Sequence, residues 1–139
     1  MTYISENLRR SVIERANNRC EYCLVHQDHV LYTHEIDHII PEKHRGETRL
    51  DNLCLACLHC NCHKGADFAS FDPETNYITT LYNPRKQSWQ GHFKLDGVKI
   101  VPISAEGRVT VFVLKLNDLL RLRSRQALLA TGQYPPSIE

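Results

Sequence analysis

Two Cys-x-x-Cys pairs, Cys20/Cys23 and Cys57/Cys60, bracket a run that holds Asp37-His38 and Asn52 and leads directly into Asn61-x-x-Lys64. Each two-residue spacer makes a tight knuckle that aims both sulfurs at one point, so the four thiolates can close a tetrahedral zinc site. The other residues are of a different kind. An imidazole can take a proton from water near neutral pH, while an Asp carboxylate and an Asn carbonyl are hard oxygen ligands suited to a magnesium-like ion. These are the groups that metal-assisted hydrolysis of a phosphodiester requires.

The elements that must position them follow from pattern. Ser5 can cap a helix running to about Asn17, because Leu8, Val12 and Ala16 fall on one stripe at steps of four. This helix is expected to pack against the zinc knuckle, with Arg9, Arg10 and Arg15 on its other face, followed by Arg19, either solvated or touching phosphates. Val30 to Ile40 mixes β-branched and aromatic residues and ends at Pro41, so it reads as a strand delivering Asp37 and His38 to its end. A Gly-containing loop from Glu42 to Asp51, with Arg45 on it, leads to a second strand, Leu53 to Ala56. A short helix, Leu58 to Lys64, is closed by Gly65. Side chains alternate along a regular strand, so Asp37 and His38 can serve one site only if the strand ends or bends there.

At 139 residues the chain suits one compact domain, with a helix over 1–19, a metal-stapled core over 20–67 and a C-terminal extension over 68–139. A formal net charge of +1 and a hydrophobic content of 42% exclude both a disordered chain and a polycation that binds nucleic acid by bulk charge. Nucleic-acid contacts must then be local. No stretch approaches the roughly 18 apolar residues of a membrane span, and Met1 to Asn18 is charged rather than leader-like, so a cytoplasmic location is expected. In a reducing compartment, six cysteines at this spacing read as thiolate ligands and not as disulfides.

The extension carries little chemistry. A strand is expected over Tyr77 to Tyr82. A hairpin about Asp96-Gly97 should pair Phe93–Leu95 with Val98–Val101, and Ser104 to Leu116 favours a helix over a strand. Asn117 or Asp118 should cap a last helix ending at Gly132, with Arg121, Arg123 and Arg125 turned to solvent.

Cys-Glu-Tyr-Cys, Glu-Ile-Asp-His-Ile-Ile-Pro, Leu-Asp-Asn-Leu and Cys-Leu-His-Cys-Asn-Cys-His-Lys-Gly, in that order, give the chain a resemblance to the HNH endonuclease family. The resemblance implies an α+β architecture: a ββα-metal (His-Me finger) core with structural zinc, followed here by a small α/β extension. It implies His38 as general base, Asn52 as the residue that fixes the loop and orients the base, and Asp37 and Asn61 as ligands of a catalytic Mg2+ or Mn2+. The substrate implied is DNA, expected double-stranded, cut to 5′-phosphate and 3′-hydroxyl ends. A homodimer would suit cutting of both strands. Lys64, His63 and Arg45 are candidate phosphate contacts. His63 lies about 200° around the helix from Asn61 and cannot share its face. Cys54 and Cys62 read as core or free thiols, although Cys54-x-x-Cys57 also has knuckle spacing. A non-catalytic zinc module that binds nucleic acid or protein is the competing reading. A redox role is weaker, since no thioredoxin-like βαβ pattern surrounds the pairs.

Overall fold

Strand β2 (Leu53–Ala56) is buried along its whole length, and both of its faces are occupied by different parts of the chain. In the computed structural model, which describes residues 2–137, β2 pairs antiparallel with β1 (Glu35–His38) in the register Asp37 to Cys54 and His38 to Leu53. Leu53 and Leu55 face helix α1 (Glu6–Arg15) and close a small cluster with Val12, which is fully buried. Cys54 and Ala56 face the main core. Burying Val12 stabilises this packing by about 1.5–3 kcal/mol. Ser5 caps α1 by accepting from the Leu8 amide at 3.2 Å. The helix therefore lies on the ribbon and not on the knuckle, because its apolar stripe is met by the leucines of β2.

Strand β1 is shorter than its composition suggests. Gln27, in a 3-10 turn over Gln27–His29, donates to the Tyr32 carbonyl at 3.0 Å and accepts from the His34 amide at 2.5 Å. These bonds fold 30–34 back on itself, and the four-residue β2 offers no partner beyond Glu35. The loop after β1 is likewise built and not free, with 3-10 turns over Glu42–His44 and Leu50–Asn52. Helix α2 (Leu58–Lys64) follows β2 directly and ends where the Gly65 amide bonds the Asn61 carbonyl at 2.9 Å.

Beyond residue 67 the chain forms two further ribbons and two helices. β3 (Ala69–Phe71) pairs with β4 (Ile78–Thr80), shorter than the expected Tyr77 to Tyr82 and with a partner that the sequence did not announce. β5 (Phe93–Asp96) and β6 (Lys99–Pro102) form the expected hairpin. Helix α3 (Ala105–Leu114) is capped by Ser104, whose hydroxyl accepts from the Gly107 amide at 2.9 Å. Gly107 is required by close approach, since a Cβ there would stand 2.3 Å from the His92 carbonyl oxygen. Helix α4 (Leu119–Ala130) ends two residues before Gly132 and begins at Asp118 without a side-chain cap. Asn117 is occupied elsewhere: its amide pairs with both the N–H and the C=O of Ile100, at 2.9 and 2.8 Å.

The last helix overturns one expectation. Arg123 is exposed, but Arg121 and Arg125 are buried, at 9% and 1% exposure, and point into the core. Arg125 donates to the Val98 carbonyl at 2.9 Å and to Asn117 at 3.1 Å, which replaces the water it loses with fixed acceptors. No helix among the described residues is long and apolar enough to cross a membrane.

Candidate metal centre and hydrolytic site

The first knuckle is a tight reversal. Arg19 bridges His26, Leu24 adopts a left-handed conformation, and the Cys23 amide bonds the Cys20 sulfur at 3.4 Å. The second is a helix start: the Cys57 sulfur accepts from the Cys60 amide at 3.4 Å and caps α2. Between them, the sulfurs of Cys20, Cys23, Cys57 and Cys60 lie within 4.8 Å of one another, and all four residues are buried. Four converging thiols without a disulfide among them suit a structural metal such as zinc. Hydrogen bonds from Cys20 pull the Cys23 and Cys57 thiols below their ordinary value, whereas burial pushes those of Cys20 and Cys60 up. Cys54 stands apart from this cluster, buried with its sulfur 3.6 Å from the Tyr22 hydroxyl, and Cys62 is exposed. The alternative Cys54/Cys57 knuckle is therefore not formed.

The second constellation lies where β1 ends. Asp37 shares the face of Cys54, toward α2, while His38, paired with Leu53, takes the other face at the last residue of the strand. The chain then turns through Ile39 and Ile40 into the loop. Asn52 fixes that turn by accepting from the Ile40 amide at 2.9 Å and donating to the Ile40 and Glu47 carbonyls at 3.0 and 2.9 Å. Gly46 completes the fit, because a Cβ there would stand 1.6 Å from the Ile40 oxygen. The His38 Nε2 is 2.8 Å from the Thr48 hydroxyl, which the loop brings back over the ring. The Glu42 carboxylate, at 3.8 Å from the same nitrogen, is too distant for a hydrogen bond.

Lys64 is not displayed for a phosphate. It is 1% exposed, with its ammonium 2.9 Å from Asp37 Oδ2 and bonded to the His38 carbonyl at 2.9 Å. The reason is its place on the inner face of α2, against β1. Burial pushes the Asp37 carboxyl above its usual value, and the Lys64 ammonium pulls it back. Asp37 Oδ2 is buried and, among the described residues, has the Lys64 ammonium as its charged neighbour. Asn61, one turn before Lys64, is half-buried on the same side of α2. His63 is exposed on another side of the helix, among the charges of Lys115, Asp118 and Arg121. Arg45 is exposed at the end of the Glu42–His44 turn.

Residues 20–67 match the HNH endonuclease family. The HNH segment spans both knuckles, β1, β2 and α2, and points to nuclease activity on a nucleic acid. One relative is the Septu protein PtuB of Bacillus thuringiensis, 27% identical over 126 residues, with 89% of this chain and 46% of that protein covered. The chain thus spans about half the length of that relative. No solved structure matches it.

Two groups around the HNH segment were not legible beforehand. Thr48 gives no motif, since a threonine in a polar loop is unremarkable until the Asn52 clamp places it. Arg121, read as solvated, donates to the Cys60 sulfur at 2.9 Å. Arg15 and Arg19, considered for phosphates, are used on carbonyls: Arg15 reaches Leu50 at 2.8 Å and Leu53 at 2.5 Å, and Arg19 reaches Leu24 at 2.8 Å. Among the described residues, Arg9 and Arg10 make no such bond.

Proposed function

We propose that the chain is a metal-dependent HNH endonuclease of ββα-metal type that hydrolyses DNA phosphodiester bonds. The observation that carries this is the 2.9 Å contact from Lys64 to Asp37, which holds the α2 face bearing Asn61 against the strand end bearing Asp37 and His38. The oxygens of Asp37 and Asn61 would hold a magnesium- or manganese-like ion, with water and phosphate supplying the remaining positions. Such an ion, when bound, supplies Lewis-acid stabilisation of the charge on the phosphate and the leaving 3′ oxygen.

His38 is the general base. With Nε2 held by Thr48, Nδ1 is the nitrogen that takes the proton from the attacking water. Thr48 acts as a positioning residue for that ring, and Asn52 acts one step further out by fixing the turn after His38. Arg45 meets the phosphate backbone from the loop, and His63 is a peripheral contact. The substrate is double-stranded DNA, and two copies of the chain serve its two strands, because one such site cuts one strand at a time.

One observation favours the competing reading of a non-catalytic zinc module. The Lys64–Asp37 pair already ties α2 to β1 without any ion. Plasmid nicking with added magnesium or manganese separates the two. Nicking should fall about 10²–10⁴-fold in His38→Ala, with zinc content unchanged. Equal binding of supercoiled DNA by both proteins, with neither cutting it, establishes the binding module instead.

A further inference from the structure

The C-terminal extension reaches the sulfur cluster with a charged group. Arg121 Nη2 lies 2.9 Å from the Cys60 sulfur and 3.7 Å from the Cys57 sulfur, while Nη1 donates to the Leu114 carbonyl at 2.7 Å. The side chain is buried, and nearby Cys60, Cys23 and Cys57 favour its charged form against the cost of burial. Four thiolates around a divalent ion carry a double negative charge. Enclosing that charge away from water is costly unless a counter-charge or hydrogen-bond donors accompany it. Arg121 supplies both. It does so from a fixed position, because the turn at Lys115, left-handed at φ 50, presents the α3 carbonyls to the same guanidinium.

Two further bonds converge on the other knuckle. The Trp89 indole donates to the Tyr22 carbonyl at 2.9 Å, and the Tyr134 hydroxyl donates to the Cys23 carbonyl at 2.9 Å. Both accept positions lie within or beside the Cys20–Cys23 spacer. The extension thus surrounds the metal ligands from three separate points of the chain.

We infer that Arg121 is the outer-sphere counter-charge of the zinc centre, so that α4 docking and metal retention are one linked equilibrium. This rests on zinc filling the four-cysteine cluster and not on hydrolysis, and none of its readouts involves nucleic acid. A guanidinium hydrogen-bonded to a ligand sulfur lowers the sulfur's electron density, steadies the thiolate and slows its displacement. Removing zinc removes the charge that holds Arg121 inward. Helix α4 then loses its tie to the sulfur cluster.

The test is zinc release from the full chain to a chromogenic chelator, for wild type, Arg121→Met, Arg121→Lys and the exposed control Arg123→Met. Release should accelerate about 10-fold or more in Arg121→Met and less in Arg121→Lys, and should not change in Arg123→Met. The cobalt-substituted proteins give a second readout, since loss of the bond to Cys60 must shift the sulfur-to-cobalt charge-transfer band. Identical release and an identical band in Arg121→Met overturn the inference. Should that variant not fold, hydrogen exchange of the wild type decides. Amides of α4 should lose protection in step with zinc removal, and their retention in zinc-free protein refutes the linkage.

Discussion

The sulfur cluster and the Asp37/His38 site are both assembled around β1, β2 and α2, yet they are finished in opposite ways. At the cluster all four ligand residues are buried, and the surrounding carbonyls and sulfurs are bonded by Arg121, Trp89 and Tyr134. At the strand end only one side is built. Asn52, Thr48 and Lys64 fix the loop, the ring and the carboxylate, while His38 and Asn61 stay half-buried. A closed site serves stability, whereas a site fixed behind and accessible in front serves chemistry. The difference lies in the partial exposure of His38 and Asn61, since Asp37 is itself buried against Lys64.

Removing a thiolate should have the largest effect. Cys57→Ser removes one thiolate from the cluster while leaving a hydroxyl to cap α2, and structural zinc in such sites contributes on the order of 10 kcal/mol. The expected result is loss of bound zinc and of a cooperative melting transition. His38→Ala should leave both intact. If Cys57→Ser melts like wild type, the contrast between closed and open sites is broken.

Next comes Gly46→Ala, which puts a methyl group into the Ile40 carbonyl. The loop must move, at a cost of about 1–3 kcal/mol. Nicking should fall with it while zinc stoichiometry holds, which calorimetry and metal analysis on one preparation would show.

A smaller effect is expected for Thr48→Val, which removes the partner of His38 Nε2 and keeps the volume. A drop in kcat of about 10-fold with little change in KM would mark a positioning role. A change in KM alone would place Thr48 on the substrate instead.

The smallest effect sharpens the contrast from the extension. Asp72 is buried, accepts two bonds from Arg108 at 2.8 and 2.9 Å, and is held by that guanidinium well below the usual aspartate value of 3.8. A carboxylate depressed in the folded state contributes stability above its unfolded pKa and loses it as pH falls through the folded value. The acid limb of melting temperature against pH should therefore be shallower in Asp72→Asn than in wild type. Sulfur protonation acts on both proteins, so their difference isolates Asp72. Parallel limbs would remove Asp72 from the account.

The HNH core was legible because its constraints are local. Leu53 to Ala56 and Leu58 to Lys64 are bounded by the knuckle and by Gly65, and the structure places both elements within those limits. β1 was read too long because strand propensity in 30–34 says nothing about whether a partner strand extends that far. β3 was missed because three residues carry no period. Arg121 and Arg125 were read as solvated because an arginine's burial depends on acceptors far along the chain, here the sulfur of Cys60 and the carbonyl of Val98. Lys64 failed for the same reason, its acceptors being on β1. In each case the pattern was sound and the missing information was the partner.

The chain has a single tryptophan, and its indole spans the boundary between the extension and the first knuckle. Trp89 also packs on Phe93, with ring centroids 5.1 Å apart, and is 8% exposed. Its emission is therefore a built-in optical gauge of that boundary. Stripping the metal should redden and broaden the fluorescence as α4 loosens, with no label and no second tryptophan to blur the signal.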